Sequence, residues 1–67
     1  MKRPDRVVIN GNCITVVDFK FGRPYPEHER QVATYMQWLR MMYPTHTVKG
    51  YLWYVYTGQT PEVYINN

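Results

Sequence analysis

At 67 residues, with a formal net charge of +3 and one cysteine, the chain has room for a single small domain and for no internal disulfide. A domain this short buries only about 60% of the surface its unfolded chain exposes, which excludes a multidomain enzyme; the lone Cys13 excludes a disulfide framework and fits a reducing cytoplasm. The positive charge allows a polyanionic partner without requiring one, and Cys13, His28 and His46 fall into no zinc-ligand spacing.

The chain opens Met1-Lys2-Arg3-Pro4-Asp5, which is no secretory leader. No apolar run is long enough to span a membrane, so a soluble cytoplasmic protein is expected. Arg6–Ile9 and Cys13–Lys20 are β-branched runs flanking Asn10-Gly11-Asn12, a hairpin signal. They predict two antiparallel strands. Counting outward from the turn brings Asp5 near Asp18.

Phe21 to Glu27 holds Gly22, Pro24 and Pro26 and reads as a loop. A helix then begins near Glu27 or His28, with Glu27 and Glu29 in the first turn, where the helix dipole favours acidic groups. Val32, Tyr35, Met36, Leu39 and Tyr43 form its apolar stripe, and Pro44 ends it. Trp38 and Met41 fall off the stripe and make a candidate self-association patch. Val48–Tyr56 is a third strand with so little polar alternation that burial on both faces is expected. Thr57 to Pro61 is a turn, and Val63–Ile65 a fourth strand that pairs back. The predicted class is α/β: order β-β-α-β-β, a mixed sheet with one crossover helix.

Asp18 and Lys20 are two apart on a strand, so they share one face while Val17 and Phe19 take the other. With Asp5, two carboxylates and a lysine converge at one end of the sheet. Close carboxylates repel unless neutralised. A hard divalent cation such as Mg²⁺ does so with oxygen ligands and acidifies a bound water. A lysine beside it holds that water or offsets charge building up on a phosphate. Taken alone, Asp18 and Lys20 also fit an edge-strand salt bridge worth about 0–1 kcal/mol, and Asp5 fits a turn residue beside Pro4. His28 and His46 read as surface residues, Cys13 as a small packing residue.

The set Arg3-Pro4-Asp5-Arg6-Val7-Val8, then Val17-Asp18-Phe19-Lys20-Phe21-Gly22, then Gln31-Val-Ala-Thr-Tyr35 closely resembles the RecB-family branch of the PD-(D/E)xK nucleases. An Asp before a strand, a D-[YF]-K motif on the next and Q-x-x-x-Y on the following helix occur there in this order. The resemblance covers roughly residues 3–43 and extends loosely to the strand around Leu52. It implies a restriction-endonuclease-like core fragment, residues 1–67 forming one partial nuclease domain. It implies that Asp5 and Asp18 ligate Mg²⁺ or Mn²⁺ with the backbone carbonyl of Phe19, that Lys20 positions the attacking water, and that Gln31 and Tyr35, one turn apart, face the site. Arg3, Arg6, Arg23 and Arg30 are candidate phosphate contacts, whereas Arg40 reads as solvated surface. The implied partners are DNA and the motor of a UvrD/Rep-type helicase in the same or a longer polypeptide, in DNA repair or recombination.

The family's domain normally begins with a helix carrying an acidic or histidine residue that helps hold metal, and its usual Thr after D-[YF]-K is Phe21 here. Both departures imply an incomplete site, with the fragment inactive by itself or assembled as a homo-oligomer. Two other readings stand beside the enzyme: a degenerate nuclease fold that only docks DNA or protein, and a small β-rich interaction domain whose motifs match by accident.

Overall fold

A computed structural model describes residues 4–65. Its element order is β1 (Arg6–Asn10), β2 (Cys13–Lys20), α1 (Pro26–Met42), β3 (Thr47–Tyr54) and β4 (Glu62–Val63), the expected β-β-α-β-β. The four strands lie side by side in chain order. The β1/β2 and β3/β4 pairs are antiparallel, and β2/β3 is parallel with α1 as the crossover.

The first hairpin turns through Gly11 and Asn12, because Asn10 pairs with Cys13. Gly11 has φ of +59°, and no described non-glycine residue has positive φ. That is the form of two-residue turn with glycine in its first position, rather than the Asn-Gly form with positive φ at both. The turn sets the register Arg6 to Val17. Extending the register by one residue sets Asp5 opposite Asp18.

Helix α1 starts at Pro26, one residue earlier than expected. A proline fits the first turn because the N–H it lacks has no helical partner there. The N-cap, Tyr25, supplies no side-chain cap. Val32, Met36 and Leu39 are buried. Tyr35 is half-buried, and Tyr43 caps the C-terminus while remaining largely exposed. Trp38 and Met41 are exposed as expected.

The helix covers one face of the sheet, packing over β3 and touching β2 and β4 but not β1. Ile14 and Val16 of β2, Leu52 and Tyr54 of β3, and Val63 of β4 form the core beneath it. Val7 and Ile9 of β1 stand on that face too, opposite Val16 and Ile14, yet stay exposed. Strand β3 departs from the expectation: it ends at Tyr54, and its burial alternates. Gly50, Leu52 and Tyr54 face the helix, while Tyr51 and Trp53 face the open side. Tyrosine and tryptophan pair apolar bodies with polar tips, so they tolerate a half-wet face. There the rings of Trp53 and Phe19 meet edge to face, centroids 5.4 Å apart.

Strand β4 is shorter than expected and pairs Val63 with Gly50 and Glu62 with Tyr51. The turn before it is closed by bonds from the Gly58 N–H to the Tyr54 carbonyl and from the Tyr54 N–H to the Gln59 carbonyl, with Gly58 at φ +73°. No described helix is long and apolar enough to cross a membrane.

Candidate functional site

Asp18 and Lys20 lie near the carboxyl end of β2, on the face covered by α1. Because β2 is an inner strand of the sheet, an edge-strand salt bridge is not what they form. Asp18 is 4% exposed, the one buried charged residue described. Its Oδ2 meets the Lys20 ammonium at 2.9 Å, and its Oδ1 has no hydrogen-bond partner among the described residues. An ionised oxygen left dry and unpaired is costly. A cation or a donor from outside the fold relieves that cost.

Asp5 precedes β1 in an exposed bend. Its Oδ2 accepts the Phe19 N–H at 2.8 Å, across 14 residues of chain, so it is anchored on the neighbouring strand and is no local turn residue. An extended residue presents its N–H and C=O to the same neighbour, which puts the Phe19 carbonyl on the edge where Asp5 is bound. Two carboxylates and one backbone carbonyl are an oxygen-only set of the kind Mg²⁺ and Mn²⁺ take, with water filling the remaining positions. No cluster of three or more His, Cys, Asp or Glu suited to a metal occurs among the described residues, so a third acidic ligand is not supplied there.

The helix motif divides. Tyr35 lines a hollow together with Asp5, Val7 and Leu39, which brings it to the Asp5 side of the site. Gln31 is exposed and lines a separate hollow with Glu27, Arg30 and Thr34. Among the arginines, Arg6 pairs with Val17 and so stands on the face away from Asp18. Arg30 is exposed and tied to Glu27 at 3.4 Å, Arg23 is exposed in the loop before α1, and Arg3 lies outside the described residues.

Two residues join this end of the sheet that their types alone did not mark. Tyr54 is the parallel-ladder partner of Lys20, and the bond from the Val55 N–H to the Lys20 carbonyl, 2.9 Å, continues that ladder. The Tyr54 hydroxyl meets Nδ1 of His28 at 3.2 Å. His28 is thus no plain surface residue: it is half-buried in the first turn of α1. His46 is half-buried as well, its ring against Tyr43 at 5.3 Å. The parallel register depends on how the helix docks, which no local signal in the sequence carries.

Burial, and then the charge of Glu29, push the Tyr54 phenol above its ordinary 10.0, while Lys20 pulls the other way. A folded value above the unfolded one makes folding favour the protonated phenol. That contribution is whole below the unfolded value and is lost as pH rises through the folded one. Tyr54→Phe is therefore expected to lose less stability than the wild type on going from about pH 9 to pH 11. Urea midpoints of both proteins across that range test it; parallel declines would show that Tyr54 has no part in the alkaline loss.

No family model matches the chain, and no curated protein or solved structure matches it.

Proposed function

We propose that the chain is the site-bearing part of a metal-dependent nuclease of PD-(D/E)xK type, with a restriction-endonuclease-like core, that hydrolyses DNA phosphodiesters. The observation that carries the reading is Asp18: a carboxylate 4% exposed, with one oxygen on Lys20 and the other unpartnered. The anchoring of Asp5 on Phe19 supports it, because both carboxylates named by the sequence motif then belong to one end of one sheet. In open α/β sheets, ligands bind at the carboxyl ends of parallel strands, where Asp18 and Lys20 stand.

When bound, Mg²⁺ or Mn²⁺ supplies Lewis acidity toward the phosphate and a water acidified at neutral pH. Asp5, Asp18 and the Phe19 carbonyl would hold the ion. Lys20, fixed by Asp18, positions the attacking water and offsets charge growing on the phosphate oxygens. Tyr35 lines the hollow that Asp5 also lines, on the side of the site where that carboxylate stands. A nuclease module of this kind works beside a helicase motor in DNA repair, and that is the partner we assign.

The test is cleavage of end-labelled single- and double-stranded oligonucleotides with Mn²⁺. Asp18→Asn is expected to abolish cleavage. Lys20→Gln, which keeps an N–H donor for Asp18, is expected to lower the rate by about 10² or more while retaining Mn²⁺ binding. Cleavage that survives Asp18→Asn, or a folded wild type that binds no Mn²⁺, would overturn the reading. DNA binding without any metal dependence would favour the docking module instead.

A further inference from the structure

The hydrolytic reading leaves the pair formed by His28 and Tyr54 unused. Lys20 and Tyr54 are partners on neighbouring strands, about 4.8 Å apart in the sheet, and Tyr54 reaches the first turn of α1 through His28. Tyr54 is 4% exposed, so its hydroxyl needs a partner, and His28 is the one it has. The imidazole is held on two sides, by Tyr25 at 5.5 Å between centroids and by Tyr54 at 5.9 Å. With Nδ1 taken by Tyr54, Nε2 has no hydrogen-bond partner among the described residues. A histidine whose one nitrogen is fixed inside the fold has its other nitrogen's role fixed as well.

We propose that His28 is a phosphate-binding residue of the site: Tyr54 donates to Nδ1, the ring proton therefore sits on Nε2, and Nε2–H donates to a non-bridging oxygen of a nucleic-acid strand lying across Asp18 and Lys20. The proposal rests on reading the site as one that takes a nucleic-acid strand. It adds a contact one strand over from the reacting phosphate, on β3 and α1 rather than β1 and β2.

The charges around the ring are largely paired: the Lys20 ammonium from β2 is held by Asp18 at 2.9 Å, and Glu27 by Arg30 at 3.4 Å. Glu29, one residue along α1, opposes an anion there, so the contact rests on the directed Nε2–H donor and not on local charge. A tyrosine phenol is protonated across the neutral range, so Tyr54 has a proton to donate to Nδ1. A neutral Nε2–H offers a phosphate oxygen one directed hydrogen bond, a positional contact that carries no base information.

Two measurements on the whole chain test this. Long-range proton–nitrogen correlation spectra at pH 8 are expected to show Nδ1 of His28 as the unprotonated nitrogen and Nε2 as the protonated one. In Tyr54→Phe that preference is expected to weaken. Binding of a phosphorothioate single-stranded oligonucleotide without divalent metal is then expected to shift the Nε2 resonance. His28→Ala is expected to weaken that binding roughly tenfold, one charge-assisted hydrogen bond, and His28→Gln to restore part of it. Circular dichroism shows whether each variant is folded. A proton on Nδ1 in the wild type, or a folded His28→Ala that binds as tightly as wild type, would overturn the proposal. If His28→Ala binds normally while Asp18→Asn still abolishes cleavage, the proposal fails and the nuclease reading stands. If no cleavage occurs under any metal but binding depends on His28, the nuclease reading fails and the contact stands.

Discussion

Saturating Mn²⁺ is expected to raise the melting temperature of the wild-type chain by about 10–20 °C and that of Asp18→Asn by almost nothing. A ligand bound only by the folded state stabilises it by about 2.7 kcal/mol at a hundred times its dissociation constant. In a domain of this size each kcal/mol moves the midpoint by roughly 4–8 °C. The isosteric amide is the informative substitution. It keeps a carbonyl oxygen for the Lys20 ammonium now 2.9 Å from Asp18, so the metal-free fold is expected to survive. Asp18→Ala is expected to cost about 3–5 kcal/mol by itself, since it strands a lysine whose side chain is 13% exposed. With total stability of order 3–10 kcal/mol for a chain this short, the alanine variant melts early or not cooperatively. Scanning melts with and without Mn²⁺ separate the two effects: the fold loss is seen without metal, the site loss only with it. If Asp18→Asn gains as much from Mn²⁺ as the wild type, the ion binds elsewhere and Asp18 is an internal charge held for structure.

Which parts of this arrangement are legible in the sequence follows from how local the determining forces are. The first hairpin is legible because a two-residue turn fixes its register, and that register sets Asp5 opposite Asp18 with no further information. The identical side of Asp18 and Lys20 follows from the strand's period of two. The helix stripe is legible for Val32, Met36 and Leu39. The parallel pairing of β2 with β3 is different. Nothing near residue 54 states that its partner is Lys20 rather than Asp18, since the offset is set by how far α1 slides along the sheet before its side chains seat. His28 was unreadable for the same reason: its role comes from Tyr54, 26 residues away. The even apolar texture of β3 misled for a chemical reason, in that Tyr51 and Trp53 tolerate water on a face where aliphatic residues would signal burial.

Gly50→Val is expected to cost about 1–3 kcal/mol, a large share of what holds the chain folded. Gly50 lies on the helix-covered side of β3, directly under α1. A β-carbon built on it collides with the Met36 sulfur and comes within 2.9 Å of Val32 Cγ1. Both neighbours are themselves 2% exposed, so neither has open space to retreat into. Accommodating the side chain requires α1 to lift off the sheet, and forcing extra methyl groups into a filled core typically costs 1–3 kcal/mol. A glycine inside a strand is ordinarily a weakness there. At this position it is what lets the helix approach closely enough to bury Ile14, Val16 and Leu52, and so it also determines where the first turn of α1 sits relative to Tyr54. The companion variant Gly50→Val/Met36→Ala removes the colliding sulfur and is expected to recover part of the loss. Urea unfolding of the three proteins decides the matter. Equal stability of Gly50→Val and the wild type would mean that the helix sits farther from the sheet than described, and recovery by Met36→Ala would establish that the contact with α1 is what the glycine permits. The same series carries a functional readout, because a helix displaced by the valine moves His28 away from Tyr54 while leaving Asp5, Asp18 and Lys20 on their own hairpin. Gly50→Val that remains folded at low temperature is therefore expected to retain Mn²⁺ binding and to lose the fixed tautomer of His28.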